Sequence, residues 1–166
     1  MNKKCIIITG TPGTGKSTLA IALAKEVGYE RLDLHHYYKT VSSSYNRKKQ
    51  AYDIDKKKFI ALVKKKLSQT KTGLIVDSHI SHLLPQKLVD VCIVLTCSNL
   101  KILQKRLQQR KYPKEKVREN LDTEIFQVCL TEAREQGHRI KVFDTTNSST
   151  TTILKAVTKS LYKEMR

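Results

Sequence analysis

Apolar positions along the chain gather into short continuous runs, and stretches of helical period separate them. "KCIIIT" (4–9) is a β-branched run closed by a glycine, which predicts a buried strand. In "GKSTLAIALAKEVG" the apolar positions Leu19, Ile21, Leu23, Ala24 and Val27 recur helically, and Gly28 stands where a C-cap belongs. "YERLDL" reads as a second short strand. The next stretch, "HHYYKTVSSSYNRKKQAYDI" (35–54), is polar, rich in tyrosine and serine, and without clean period; it is expected to be a mobile insertion outside the core. From Asp55 to Leu67 the helical period returns through Phe59, Ile60, Leu62, Val63 and Leu67, flanked by lysine triplets.

"GLIVDSH" (73–79) and "VDVCIVLTC" (89–97) predict two more buried strands. A helix from Asn99 to Gln109 follows, then the basic break "RKYPKEK", then one long helix reaching Gln136. "RIKVFDTT" supplies a last strand, and "SSTTTILKAVTKSLYKEM" a closing helix capped by Ser or Thr. Strands alternating with helices predict an α/β fold whose parallel sheet is covered on both faces. The 166 residues suit one domain, with no linker long enough to divide it.

Composition changes this picture in three places. No run approaches the ~20 apolar residues of a membrane span. The apolar segment after "MNKK" is too brief for a signal peptide, so cytoplasm, or nucleus in a eukaryote, is the expected compartment. Cys5, Cys92, Cys97 and Cys129 show no zinc-type spacing, and the first two fall inside apolar runs as small hydrophobes. The net charge of +17 favours polyanionic partners, although a solubilising lysine coat would give the same number.

The chemistry concentrates at "TGTPGTGKST". Gly10 to Ser17 satisfies G-x-x-x-x-G-K-[ST] with a strand before it and a helix after it. Glycines such as Gly13 and Gly15 allow the backbone to turn successive N–H groups toward one point, where the helix N-terminus adds its positive end. Lys16 then reaches the β- and γ-phosphates of a nucleoside triphosphate, Ser17 offers a hydroxyl to Mg²⁺, and Thr18 can bond the α-phosphate. Asp77 ends a buried strand, where it can accept from Ser17 or hold a water on Mg²⁺. His79 follows on the same side if the strand continues, either as a neutral group to orient water or phosphate or as a satisfied structural histidine. Arg106 and Arg110 are i, i+4 neighbours, and Arg110 stands at the helix break where it can swing over bound phosphates.

"TGTPGTGKST", "LIVDSH" followed by "LLP", and "RLQQRKYPKEKVRENLDTEIFQVCLTEA" together resemble the adenylate kinase isoenzyme six family. Its members are also described as coilin-interacting nuclear ATPases or small-subunit ribosome maturation factors. The resemblance covers nearly the whole chain, and the stretch around Glu124 is its most specific part. It implies a P-loop nucleoside monophosphate kinase fold on a five-stranded parallel sheet flanked by helices. A monophosphate-binding insertion would span 31–54 and a short lid 109–119.

The same resemblance implies ATP:AMP phosphotransfer, ATPase activity, and association with a small-subunit ribosomal protein and pre-rRNA. Carried over by residue, Gly13, Gly15, Lys16, Ser17 and Thr18 hold ATP, Asp77 and His79 form an Asp-x-His element, and Arg110 is the lid arginine. Lys39 stands where the family carries an acceptor-gripping arginine; it keeps the charge and loses the bidentate fork. Two readings result, an adenylate kinase with ATPase activity and a nucleotide-switched ribosome-assembly ATPase with little AMP kinase activity. In the second, "RKK" and the two "KKK" runs (47–49, 56–58, 64–66) carry RNA contacts. A kinase for another small acceptor, with Asp33 or Asp53 as base, is a third option.

Overall fold

The structure is a computed structural model that describes residues 3–49 and 51–164. Five strands, β1 (Lys4–Gly10), β2 (Glu30–Asp33), β5 (Gly73–Asp77), β6 (Val91–Thr96) and β7 (Ile140–Asp144), form one sheet in the order β2-β5-β1-β6-β7. Every pairing in it is parallel. Alternation along β1 sends Cys5 and Ile7 into one core and Ile6 and Ile8 into another, so both faces are buried as the continuous run required. The helices α1 (Lys16–Val27) and α7 (Thr150–Glu164) cover the face holding Ile8, Ile75 and Ile93. The opposite face packs on α3 (Lys56–Gln69) and α6 (Val128–Glu135), with Phe59, Val63 and Leu130 in contact with the sheet's core cluster. Each such aliphatic or aromatic side chain contributes about 1.5–3 kcal/mol by burial.

From β1 the chain crosses outward to β2 and returns through β5; it then leaves for the other side through β6 and β7. The direction reverses at β1, and the crevice beyond the carboxyl ends of such a sheet is where ligands bind. The "GTPGTGKS" turn lies there.

Two expectations are corrected. The insertion is not irregular: after a 3-10 turn (Leu34–Tyr37) come α2 (Tyr38–Val41) and the antiparallel hairpin β3 (Ser42–Asn46) and β4 (Ala51–Ile54). Its strands are too short to display a period, but Tyr45 faces Tyr52, Ser44 bonds Asp53, and Leu34 and Val41 enter the core. The insertion's expected first residues, 31–33, belong to core strand β2. The long helix to Gln136 is two helices, α5 (Lys114–Ile125) and α6, divided at Gln127, whose φ of 51° breaks the helical path. Between α4 (Leu100–Gln109) and α5 the basic break is as expected. Ser149 caps α7, its Oγ accepting from the Thr152 amide at 3.1 Å. Gln50 of the insertion and Met165 of the closing helix lie outside the described residues.

Candidate active site

The turn after β1 depends on glycine in two ways. Gly10 has φ 142°, and a Cβ there would lie 2.3 Å from the Leu95 carbonyl oxygen of neighbouring β6. Gly15 has φ 89° with open space around it, so only its backbone conformation demands glycine. Gly15 is also the N-cap of α1; it supplies no side-chain cap, and the first turn contains no acid. The leading amides of α1 and its positive end are therefore left for an anion.

Beside this loop opens a cleft of about 350 Å³ lined by Gly13, Gly15, Thr18, Arg106, Arg110 and Thr145, among others. Gly13, Gly15, Thr18 and Arg110, all nominated from the sequence, thus line one cleft. Arg110, exposed, follows the last turn of α4. Lys16 is half-buried and donates to the Thr11 carbonyl at 3.0 Å, folding back over its own loop. Desolvation, reinforced by Arg110, lowers its pKa to about 8, against the pull of Cys129 and Asp77. It still carries its proton at neutral pH.

Asp77 is 3 % exposed and paired with a residue that the sequence did not nominate. Arg31 Nη2 donates to Asp77 Oδ2 at 2.6 Å and to Asp33 Oδ2 at 2.8 Å, and its Nε reaches the same Asp77 oxygen at 3.1 Å. Register explains the pairing: Asp33 lies opposite Asp77 across β2 and β5, and Arg31 shares Asp33's face one pleat earlier. The other Asp77 oxygen and the exposed Ser17 hydroxyl have no hydrogen bond among the described residues. Two hard oxygen donors suit a magnesium ion arriving with a triphosphate, which keeps most of its ligands as water and phosphate. Among the described residues no cluster of three or more His, Cys, Asp or Glu could hold a metal by itself.

His79, two residues beyond Asp77, is exposed as a whole residue. Desolvation by the surrounding protein, then the Lys16 ammonium, push its pKa down to about 4, so the imidazole is neutral at pH 7. Its carbonyl accepts from the Thr9 hydroxyl at 3.2 Å, and that hydroxyl also meets His82 Nδ1 at 2.7 Å. His82 Nε2 lies 2.7 Å from Glu132 Oε2, which ties the loop after β5 to α6. Lys39 is exposed on α2 and, among the described residues, bonded to none.

Two further polar groups fix the glycine loop. Buried Glu124 accepts from Thr11 Oγ1 and from the Cys97 amide, each at 2.6 Å, and so clasps the phosphate loop to the end of β6. Arg106 donates to the Thr145 carbonyl at 2.9 Å and reaches the Gly13 carbonyl at 3.4 Å. Its spacing from Arg110 was visible in the sequence, but these partners, 39 and 93 residues away, were not. Glu124 did leave a trace: it continues the Val117, Leu121 stripe of α5, an apolar position occupied by a carboxylate.

A glycine loop between a central parallel strand and its helix, with arginines facing the cleft, defines a P-loop kinase site on an α/β sheet. A family model described as an AAA domain matches residues 6–127. The Schizosaccharomyces pombe adenylate kinase isoenzyme 6 homolog is 39% identical over 132 residues, 78% of this chain and 74% of that protein. A putative adenylate kinase of Methanocaldococcus jannaschii is 35% identical over 159 residues, 94% and 85% of the two chains. Among solved structures, YorR of Bacillus subtilis in complex with phosphorylated GDP gives a TM-score of 0.66 over 98% of both chains, at 19% identity. Deoxyadenosine kinase of M. mycoides with bound dATP gives 0.59 over 96% and 98%, at 20% identity. The structural likenesses show the fold. The sequence likenesses show the family: this chain belongs to the adenylate kinase isoenzyme 6 family.

Proposed function

We propose that the protein transfers the γ-phosphoryl group of ATP to AMP, giving two ADP, and that it hydrolyses ATP when water takes the acceptor's place. The observation that carries this reading is the cleft joining Gly13, Gly15 and Thr18 to Arg106 and Arg110, with Asp77 and His79 at the neighbouring strand end. An oxygen of the AMP phosphate attacks the γ-phosphorus as the bond to the β,γ-bridging oxygen breaks, and ADP leaves with that electron pair. The acceptor phosphate is largely ionised at pH 7, so no general base is needed; alignment and cations are. Lys16 and Arg110 offset charge on the transferring group, and the amides of residues 13–18 hold the donor phosphates. Ser17 and Asp77 are the protein oxygens that would hold Mg²⁺, which would supply positive charge against the phosphates. Lys39 is the acceptor-side cation. In hydrolysis, neutral His79 accepts a hydrogen bond from the attacking water.

A coupled assay with each nucleoside monophosphate, and with none, tests the reading. AMP-dependent ADP formation that collapses at least a hundredfold in Lys16→Ala is expected. Formation of ADP at the same rate with and without AMP would remove the kinase activity. A second reading, a nucleotide-switched assembly ATPase that engages a small-subunit ribosomal protein and pre-rRNA, is favoured by the +17 charge and by lysine at position 39. It requires partner binding that differs between ATP- and ADP-loaded protein, and equal binding in both states would end it.

A further inference from the structure

We propose that the β3–β4 hairpin together with α3 is a platform for an unpaired RNA strand, with bases stacking on Tyr45 and the backbone following the surrounding lysines and arginine. This deepens the ribonucleoprotein reading above and rests on it for the choice of RNA. The platform has two components that are independent of each other.

The first is aromatic. Ring centroids run from His35 to Tyr38 at 4.6 Å, from Tyr38 to Tyr52 at 5.7 Å and from Tyr52 to Tyr45 at 4.9 Å, a continuous file across the insertion. A two-stranded sheet is marginal alone, so the inner rings serve to hold the hairpin on the domain. The file ends in Tyr45, which is 49% exposed on the outer strand. Its ring position is fixed by Tyr52 behind it and its free surface faces solvent, which is how a stacking residue is pre-organised.

The second is charge. Residues 39–71 contain eleven Lys and Arg against two Asp, so more than half of the net +17 falls on one-fifth of the chain. Both aspartates are committed: Asp55 caps α3 through the Lys57 and Lys58 amides, and Asp53 accepts from Ser44. None of these cations forms an ion pair among the described residues. A helix that is merely well solvated usually alternates acid with base at i, i+4; α3 has six lysines and no acid, which is self-repelling until a polyanion neutralises it. Arg47, Lys48 and Lys49 occupy the hairpin end next to Tyr45, placing phosphate-binding groups beside the stacking ring. A duplex would use the charges and leave the ring idle, so the combination selects a single strand.

Fluorescence anisotropy with a labelled twelve-nucleotide oligouridylate, and with an RNA duplex of equal length, tests the platform on the full chain. Wild type is expected to favour the single strand. Tyr45→Ala should weaken that binding about fivefold to a hundredfold, while Tyr45→Phe keeps it. Replacing Arg47, Lys48 and Lys49 with serine should lower the slope of log affinity against log salt by about 2. Far-ultraviolet circular dichroism and melting of each variant show that it folds. Single-strand binding that Tyr45→Ala leaves within twofold, or equal affinity for duplex, overturns the platform and leaves the RNA reading standing. No binding by wild type in low salt overturns both, while the coupled AMP assay judges the kinase reading separately.

Discussion

Glu124 offers the sharpest quantitative test of how the phosphate loop is held. Its buried carboxylate receives the Thr11 hydroxyl and the Cys97 amide, both at 2.6 Å, with no ion pair to it among the described residues. Glutamine in its place can still accept from the Cys97 amide, and the Thr11 hydroxyl can turn to accept from the new NH₂ group. Two charge-assisted bonds become neutral ones, a loss of about 1–2 kcal/mol in total. Alanine leaves the amide and the hydroxyl buried without partners, at about 1–3 kcal/mol each, and opens a cavity beside Thr11. The expected loss for Glu124→Ala is about 3–5 kcal/mol, a large share of the ~5–15 kcal/mol that holds a domain. With a urea dependence of about 2 kcal/mol per molar, the unfolding midpoint should fall by about 2 M for alanine and below 1 M for glutamine. Thr11→Val combined with Glu124→Gln should show coupling of at least 0.5 kcal/mol, since both changes act on one bond. A Glu124→Ala protein whose midpoint stays within 0.25 M of wild type would refute the clasp.

Other perturbations act on separate features. Arg31→Gln leaves Asp77 buried beside an uncharged group and should cost about 3 kcal/mol, the lower end for a broken buried pair because the Arg31 side chain is 20% exposed; an unchanged urea midpoint would count against the pair. Gly10→Ala should destabilise more than Gly15→Ala, since the first adds a 2.3 Å clash with Leu95 to backbone strain and the second adds strain alone; melting temperatures in the opposite order would refute this. Burial lowers the pKa of His82, against the pull of Glu132, and desolvation, then the Lys16 ammonium, lower that of His79 to about 4. Below pH ~6.5 the unfolded chain binds protons that the folded histidines refuse, so stability should decline from pH 7 toward pH 4. Melting curves at pH 7 and pH 5 check it, and the decline should shrink in His82→Gln; equal melting temperatures at the two pH values would oppose it.

The parts of this fold legible in the sequence are those whose cause is local. A β-branched run must be a buried strand, and glycines between such a run and a helix must form the phosphate turn; Gly10, Gly13 and Gly15 all take positive φ. What escaped is set by register and by distance. The hairpin is held by Tyr52 meeting Tyr45 and Tyr38, pairs that no periodic pattern records. Asp77 was recognised at its strand end, but its partner Arg31 lies 46 residues away and becomes its neighbour only because β2 pairs with β5 in one register. The division of the long helix had a different cause: the turn at Gln127 lets α5 and α6 pack in separate directions, with Phe126 73% exposed between them. A local pattern of good helix formers concealed it.

The Arg31–Asp77 pair also bears on the acceptor side of the proposed reaction. Arg31 is not a free cation awaiting a phosphate; two carboxylates already share it. Lys39 has no ion pair among the described residues, yet a lysine grips a phosphate through one point charge where an arginine uses a fork. On the kinase reading, the acceptor phosphate therefore falls to Lys39, while Arg31 holds the Asp33 and Asp77 carboxylates side by side at the strand ends.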